Sequence, residues 1–141
     1  MRFAYPIEID EAADGITVAF PDVPEAITAG VTRAEAIERA ADTLVSALSF
    51  YVEEGEPLPR PSPAKGRPMI SVTALEAAKL ALHDAMTEAG LSKVELARRM
   101  GKDERAIRRL LDPLHRSHIG EVETALRGLG KRVEVSVMQA A

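Results

Sequence analysis

The sequence predicts an α+β fold in two parts, a βββαβ unit over residues 1–72 and a helical unit over residues 73–141. Three observations predict this division. Apolar and polar residues alternate near the N-terminus, which is the period of half-buried strands. Capping-box sequences, which mark the first turns of helices, recur along the rest of the chain. Residues 56–68 hold five of the nine prolines, a density that favours an extended connection.

A β-hairpin is predicted at the N-terminus. Asp14 and Gly15 form a tight turn between two alternating segments, so these segments are expected to pair as antiparallel strands. The alternating apolar residues are Phe3, Tyr5, Ile7 and Ile9 before the turn, and Ile16, Val18 and Phe20 after it. Two prolines within residues 21–24 end the second strand, because proline cannot donate to a sheet. A short third strand is expected over residues 26–29.

One long helix and a returning strand complete the first part. Thr32 and Glu35 have capping-box spacing, and apolar residues at three- and four-residue intervals continue the helix as far as Gly55. After the proline-rich connection, residues 69–72 are again strand-like. We expect them to return to the first sheet, so the domain boundary is placed after Val72.

The second part begins with helices. Thr73 and Ser92 each precede a glutamate by three residues, which predicts a helix start at both positions. Ser117 is expected to cap a last helix, which supplies the back of the bundle.

Residues 90–111 have the pattern of a helix-turn-helix. Such a motif needs a small residue where its helices cross, which Ala97 supplies, and a turn residue that tolerates left-handed backbone, which Gly101 supplies. Asp103 is the expected N-cap of the second helix. The expected core anchors are Leu96, Met100, Ile107 and Leu110.

Positive charge is concentrated around the second helix of this motif. Residues 98–116 contain seven Lys and Arg residues against three Asp and Glu residues. Arginine can pair with the O6 and N7 atoms of guanine in the major groove, and basic side chains beside it neutralise phosphates. The residues expected to contact operator double-stranded DNA are Arg98, Arg99, Lys102, Glu104, Arg105, Arg108 and Arg109.

A terminal strand is predicted where Val133, Val135 and Val137 alternate with polar residues. A strand without a partner in its own helical domain is an unpaired sheet edge. We expect it to pair with its copy in a second subunit, giving a homodimer that reads two half-sites. Whether such dimers pair further into tetramers is left open.

Composition and charge limit the functions that this chain can have. Residues 1–64 contain 4 Lys and Arg against 12 Asp and Glu, whereas residues 65–141 contain 14 against 10. The negative charge of the first part is therefore complementary to a basic partner. The positive charge of the second part is complementary to phosphate groups. The absence of cysteine excludes thiolate chemistry and cysteine-bound zinc. No membrane-length apolar run and no signal-peptide pattern occur, so a cytoplasmic location without membrane contact is expected.

The chain resembles the HicB antitoxins, in the branch that carries a helix-turn-helix. The order and spacing of several short segments carry the resemblance. These are Tyr5-Pro6-Ile7, 20–26 (FPDVPEA), 29–30 (AG) with 32–36 (TRAEA), 54–62 (EGEPLPRPS), 95–101 (ELARRMG) and 129–132 (LGKR). The resemblance implies a partial RNase H-like N-terminal domain that binds and blocks a small RNA-cleaving HicA toxin. It also implies a C-terminal domain that represses the operon.

The expected toxin contacts lie on the loop after the second strand. They are Phe20, Asp22 and Glu25, although Phe20 is equally compatible with a core position. Many family members have Pro-Gly-Cys after the second strand, where this chain has Pro24, Glu25 and Ala26. The loop that faces the toxin therefore departs from the family pattern.

Three other functions are to be compared with the sequence. A nuclease would hold two metal ions with carboxylates on strand interiors, but Glu8 and Asp10 alternate away from the apolar face. His115 and His118 lack the further ligands that zinc needs, so no metal, cofactor or enzymatic activity is expected. The remaining alternative is a stand-alone helix-turn-helix regulator whose N-terminal domain senses a small ligand.

Overall fold

The computed structural model describes residues 2–139 and has an α+β architecture, as predicted. Strands precede helices along the chain, apart from one helix between the fourth and fifth strands. The elements are β1 (Ala4–Pro6), β2 (Glu8–Ala12), β3 (Gly15–Ala19), β4 (Ile27–Gly30), α1 (Arg33–Glu53), β5 (Met69–Ser71), α2 (Ala74–Ala89), α3 (Lys93–Met100), α4 (Glu104–Leu111) and α5 (Ile119–Gly128). Within residues 2–139, no helix is both long and apolar enough to cross a membrane.

The strands form two antiparallel sheets. In the first, β1 pairs with β5, and Tyr5 lies opposite Ile70. In the second, β3 lies between β2 and β4, and the predicted hairpin turn joins β2 to β3. The prediction of one continuous first strand, made from the alternation, is therefore wrong. The chain changes partners at Ile7, whose amide donates to the carbonyl of Pro68 at 2.9 Å instead of joining the β2–β3 ladder.

Helix α1 covers one face of the three-stranded sheet. The hydroxyl of Thr32 accepts the Glu35 amide at 3.1 Å, as the capping-box spacing predicts. Gly30, at the end of β4, lies so close to α1 that a Cβ atom there would be 2.7 Å from the Ala36 nitrogen. The absence of a side chain at Gly30 therefore allows the sheet and the helix to make contact.

Replacing Gly30 by alanine tests this contact. We expect Gly30→Ala to lower the free energy of unfolding by about 1 to 3 kcal/mol, because backbone on both sides must move to admit the methyl group. Gly120→Ala is the matched control, since a Cβ there meets nothing within 4 Å. Urea denaturation of both variants measures the effect. Equal stability of the two variants would show that the contact is not tight.

The proline-rich segment has no helix or strand, yet it is bound to both parts of the chain. The hydroxyl of Tyr5 donates to the Pro59 carbonyl at 2.8 Å, and burial raises the pKa of this hydroxyl to about 12. Arg60 forms a salt bridge of 3.0 Å with Asp84 of α2, whose side chain is only 7% exposed. The segment therefore bridges the first sheet and α2.

Helices α2 and α3 begin where predicted. Thr73 and Glu76 form a complete capping box, and the Ser92 hydroxyl accepts the Glu95 amide at 3.1 Å. The prediction that Ser117 caps the last helix is wrong. The N-cap of α5 is His118, which makes no side-chain capping bond, because the Ser117 hydroxyl instead accepts a hydrogen bond from Lys79.

The predicted terminal strand is not formed in the single chain. Residues 131–139 have no regular secondary structure. Val133 is half-buried against the core, whereas Val135 is 69% exposed and Val137 is 93% exposed. A strand requires a hydrogen-bonded neighbour, and the described chain places none beside this segment.

Candidate functional site

Helices α3 and α4 are joined by a short turn that the predicted residues form. Gly101 has a φ of 64°, in the left-handed region, and ends α3. Asp103 caps α4, because its carboxylate accepts the Ala106 amide at 2.7 Å. The amide of Lys102 donates to the Ala97 carbonyl at 2.9 Å, which closes the turn. These local bonds fix the order helix, turn, helix.

The inner faces of the two helices pack as the spacing predicts. Leu96 and Ala97 of α3 are buried, as are Ile107 and Leu110 of α4. Met100 is half-buried and packs against the same core. Because these residues occupy one side of each helix, the other side is presented to solvent.

The basic residues predicted to contact DNA lie on this outer side. All six are exposed, and they come from the end of α3, the turn and α4: Arg98, Arg99, Lys102, Arg105, Arg108 and Arg109. Glu104 is half-buried and accepts a hydrogen bond of 2.7 Å from Arg108 in an i,i+4 pair. A pair this exposed contributes only about 0.3 to 0.5 kcal/mol, so Arg108 can leave Glu104 for another anion at little cost.

A buried lysine beneath α4 was missed by the sequence reasoning. The Lys79 side chain of α2 is completely buried, and its ammonium donates to backbone carbonyls at and beyond the end of α4. Burial lowers the pKa of this ammonium, and the nearby Asp112 carboxylate partly opposes that shift. The sequence did contain a clue. Lys79 lies four residues after Leu75 and three before Leu82, within the apolar stripe of α2.

The three residues predicted to contact the toxin, on the loop after β3, lie in different surroundings. The Phe20 side chain is only 1% exposed and belongs to the core, so it is not available on the surface of the described chain. The Asp22 carboxylate accepts hydrogen bonds from the amide and hydroxyl of Ser62, at 2.8 and 2.5 Å. The exposed Glu25 accepts a hydrogen bond of 2.7 Å from Tyr51, which raises the pKa of that tyrosine.

The face of the three-stranded sheet opposite α1 is exposed to solvent, as the alternation of Glu8 and Asp10 away from the apolar face predicts. It carries the exposed side chains of Glu8, Asp10, Thr17, Ile27 and Ala29. Among them, Glu8 forms a salt bridge of 3.7 Å with Arg67 of the proline-rich segment. The N-terminal part therefore presents an open face with acidic residues along β2.

Histidines and carboxylates do not gather into a metal site in the described residues. His115 and His118 are both exposed, beside the loop that follows α4. No group of three or more His, Asp or Glu side chains suited to a metal ion occurs within residues 2–139.

Comparison with known proteins identifies the family of this chain. Residues 2–81 match the model of a HicB-like antitoxin of a bacterial toxin–antitoxin system. The chain is 40% identical over 131 residues to Antitoxin HicB 2 of Photorhabdus laumondii, which covers 93% of this chain and 94% of the relative. It is 39% identical over 133 residues to Antitoxin HicB of Escherichia coli K12, with 93% and 96% covered. It is 37% identical over 142 residues to Antitoxin HicB of Pseudomonas fluorescens, with 99% and 97% covered.

These matches span both parts of the α+β fold, since the relatives align with almost the whole chain. The chain belongs to the HicB-like antitoxin family. It is thus an antitoxin of a toxin–antitoxin system, and its family implies a toxin as partner.

Proposed function

We propose that this antitoxin neutralises a small RNA-cleaving HicA-type toxin with its N-terminal part and represses its own operon by binding operator DNA with α3 and α4. The exposed set of arginines on and beside α4, above a buried inner face, is the observation that carries the proposal. We assign no enzymatic activity to the chain. The division of labour between residues 1–72 and 73–141, and the RNase H-like character of the first part, belong to the same proposal.

The dimensions of α4 suit the major groove. An α-helix with its side chains is about 10 to 12 Å across, which fits the major-groove width of about 12 Å. Arg105 lies in the first turn and is exposed, so it is the residue that we assign to a base edge. Arg98, Arg99 and Lys102 flank α4 and are assigned to phosphates. The α3–α4 pair then acts as a helix-turn-helix, with α4 as its recognition helix.

Alanine substitutions at arginine test the DNA-binding proposal. We expect Arg105→Ala to weaken binding to the DNA upstream of the chain's own coding sequence by about 1 to 3 kcal/mol and to relax base preference. Arg99→Ala should instead weaken binding to every sequence and reduce the salt dependence. Arg127→Ala, which removes the same charge from the exposed end of α5, is the control. Gel-shift affinities of Arg105→Ala equal to those of Arg127→Ala would contradict the assignment.

A homodimer completes the DNA-binding proposal. The segment 133–137 supplies its contact, with Val133, Val135 and Val137 as the residues that join the two copies. Exposed Val135 and Val137 support this assignment, since solvent contact with large aliphatic side chains is unfavourable and a partner would relieve it. Assembly of dimers into tetramers stays open.

The acidic N-terminal part is assigned to the toxin. Its contacts are Asp22 and Glu25, with Phe20 supporting the loop from the core. Charge complementarity of this kind accelerates and selects encounters more than it sets affinity. We propose that this loop and the acidic residues of β2 face a basic, RNA-binding surface of the toxin.

A further inference from the structure

The end of α4 is held by a side chain from a different helix. The ammonium of Lys79, in the middle of α2, donates to the carbonyl of Arg109 at 2.8 Å and to that of Asp112 at 3.0 Å. It also donates to the carbonyl of His115 at 2.5 Å and to the hydroxyl of Ser117 at 2.8 Å. The three N–H hydrogens of one buried cation are thus shared among four oxygen atoms that belong to α4 and to the loop after it.

A proline explains why α4 needs this donor. Within a helix, the carbonyl of Arg109 would accept the amide of the residue four positions later. That residue is Pro113, which has no N–H group. The ammonium of Lys79 supplies the missing donor, at the helix end where carbonyl oxygens concentrate negative charge.

Apolar packing alone fixes α4 poorly. The helix has only eight residues, and Ile107, Leu110 and Leu111 form its buried side. Hydrophobic burial is non-directional, so it specifies the rotation of so short a helix less sharply than directional bonds do. Charge-assisted hydrogen bonds are directional, and a set at the C-terminal end fixes both the axial position and the rotation of the helix.

We propose that Lys79 is a positioning residue for DNA recognition, which sets the angle at which α4 presents Arg105 to the bases. The inference rests on the proposed operator binding. Base-edge contacts require placement within about 0.5 Å, whereas flexible basic side chains reach phosphates from many angles. Loss of the ammonium should therefore lower operator affinity and leave non-specific DNA affinity nearly unchanged.

The lack of cysteine in this chain permits a matched test. The full-length Lys79→Cys variant is alkylated in denaturant, either with 2-bromoethylamine or with 1-bromopropane, and refolded. The first product restores an ammonium at nearly the length of lysine, and the second has the same shape without the charge. Binding to upstream DNA and to a scrambled duplex is measured for both products and for the wild-type chain.

We expect the aminoethyl product to bind upstream DNA within about 3-fold of wild type, and the propyl product to bind it about 10-fold or more weakly. Affinity of the propyl product for the scrambled duplex should change by less than about 3-fold, since phosphate contacts persist. If the two products bind upstream DNA equally well, Lys79 has no positioning role. If the propyl product is folded and its affinity falls equally on both duplexes, the inference is also overturned.

A second variant keeps the test decisive if the propyl product does not refold. Lys79→Gln retains a neutral amide with two donor hydrogens on a shorter chain, and it should show the same selective loss, of about 5-fold or more. Wild-type operator affinity in Lys79→Gln overturns the inference. If the wild-type chain itself does not distinguish upstream DNA from the scrambled duplex, the proposed operator binding fails and the inference fails with it. If only the inference about Lys79 is wrong, the wild-type chain still distinguishes upstream DNA from the scrambled duplex.

Discussion

A chain that ends after Lys131 should sediment as a monomer and should bind operator DNA on the order of 100-fold more weakly, or worse, than the full chain. Truncation removes the exposed Val135, Val137 and Met138, which are the apolar groups that a second copy would cover. One half-site contact then replaces two, so the second helix pair no longer benefits from the effective concentration that a dimer provides.

The surroundings of the terminal segment support this expectation. A groove of ≈ 690 Å³ lies between α2, α5 and residues 131–136. Its α2 wall consists of alanines at helical spacing, which allow a backbone to approach closely: Ala74, Ala77, Ala78, Ala81 and Ala85. We expect the terminal segment to become a strand when its copy pairs with it beside this groove.

Two point variants separate dimerisation from general disruption. Val135→Asp should dissociate the dimer, because a carboxylate would be buried between the two segments. Ser136→Asp adds the same charge at the neighbouring position, on the opposite face of a strand, and is the control. Analytical ultracentrifugation and operator titration are carried out on both variants. A truncated chain that still sediments as a dimer would remove the terminal segment from the interface.

Sequence reasoning succeeded where structure is decided locally. Thr32, Thr73, Ser92 and Asp103 each cap a helix, because the cap and the amide that it accepts are three residues apart. The turn at Gly101 has the same local origin, since its φ of 64° is accessible to glycine without strain. Much of the α3–α4 geometry was predictable for this reason.

The failures have non-local causes. The apolar alternation from Phe3 to Ile9 is uninterrupted, and the one local sign of a break is Pro6, which cannot donate to a ladder and ends β1. Ser117 has suitable cap chemistry, but its hydroxyl is engaged by Lys79, which lies 38 residues earlier. The terminal strand stays a prediction, since its predicted partner belongs to a second copy.

The proline-rich segment was predicted as a connection, but it also joins the proposed toxin-facing loop to the helical part. Ser62 donates to Asp22 on one side, and Arg60 forms a salt bridge with Asp84 of α2 on the other. Cutting the chain after residue 72 would therefore leave Arg60 without Asp84. Tests of toxin binding are better made in the full chain, with substitutions confined to the loop.

Reversing the charge of the loop should slow capture of the toxin. We expect the double variant Asp22→Lys and Glu25→Lys to associate with the toxin about 10- to 100-fold more slowly at low salt, because long-range attraction is replaced by repulsion. The rate should also become less sensitive to salt. Operator affinity should not change, since the loop lies outside α3 and α4.

Two controls separate charge from local structure. Glu38→Lys with Asp42→Lys makes the same change in formal charge on exposed positions of α1, away from the loop. Ser62→Ala removes one hydrogen bond to Asp22 without changing any charge. Association rates at two salt concentrations and rescue of cells from the toxin are measured for all three variants. If the α1 variant slows association as much as the loop variant does, the net charge of the N-terminal part controls the association rate. The assignment of Asp22 and Glu25 as toxin contacts would then be contradicted.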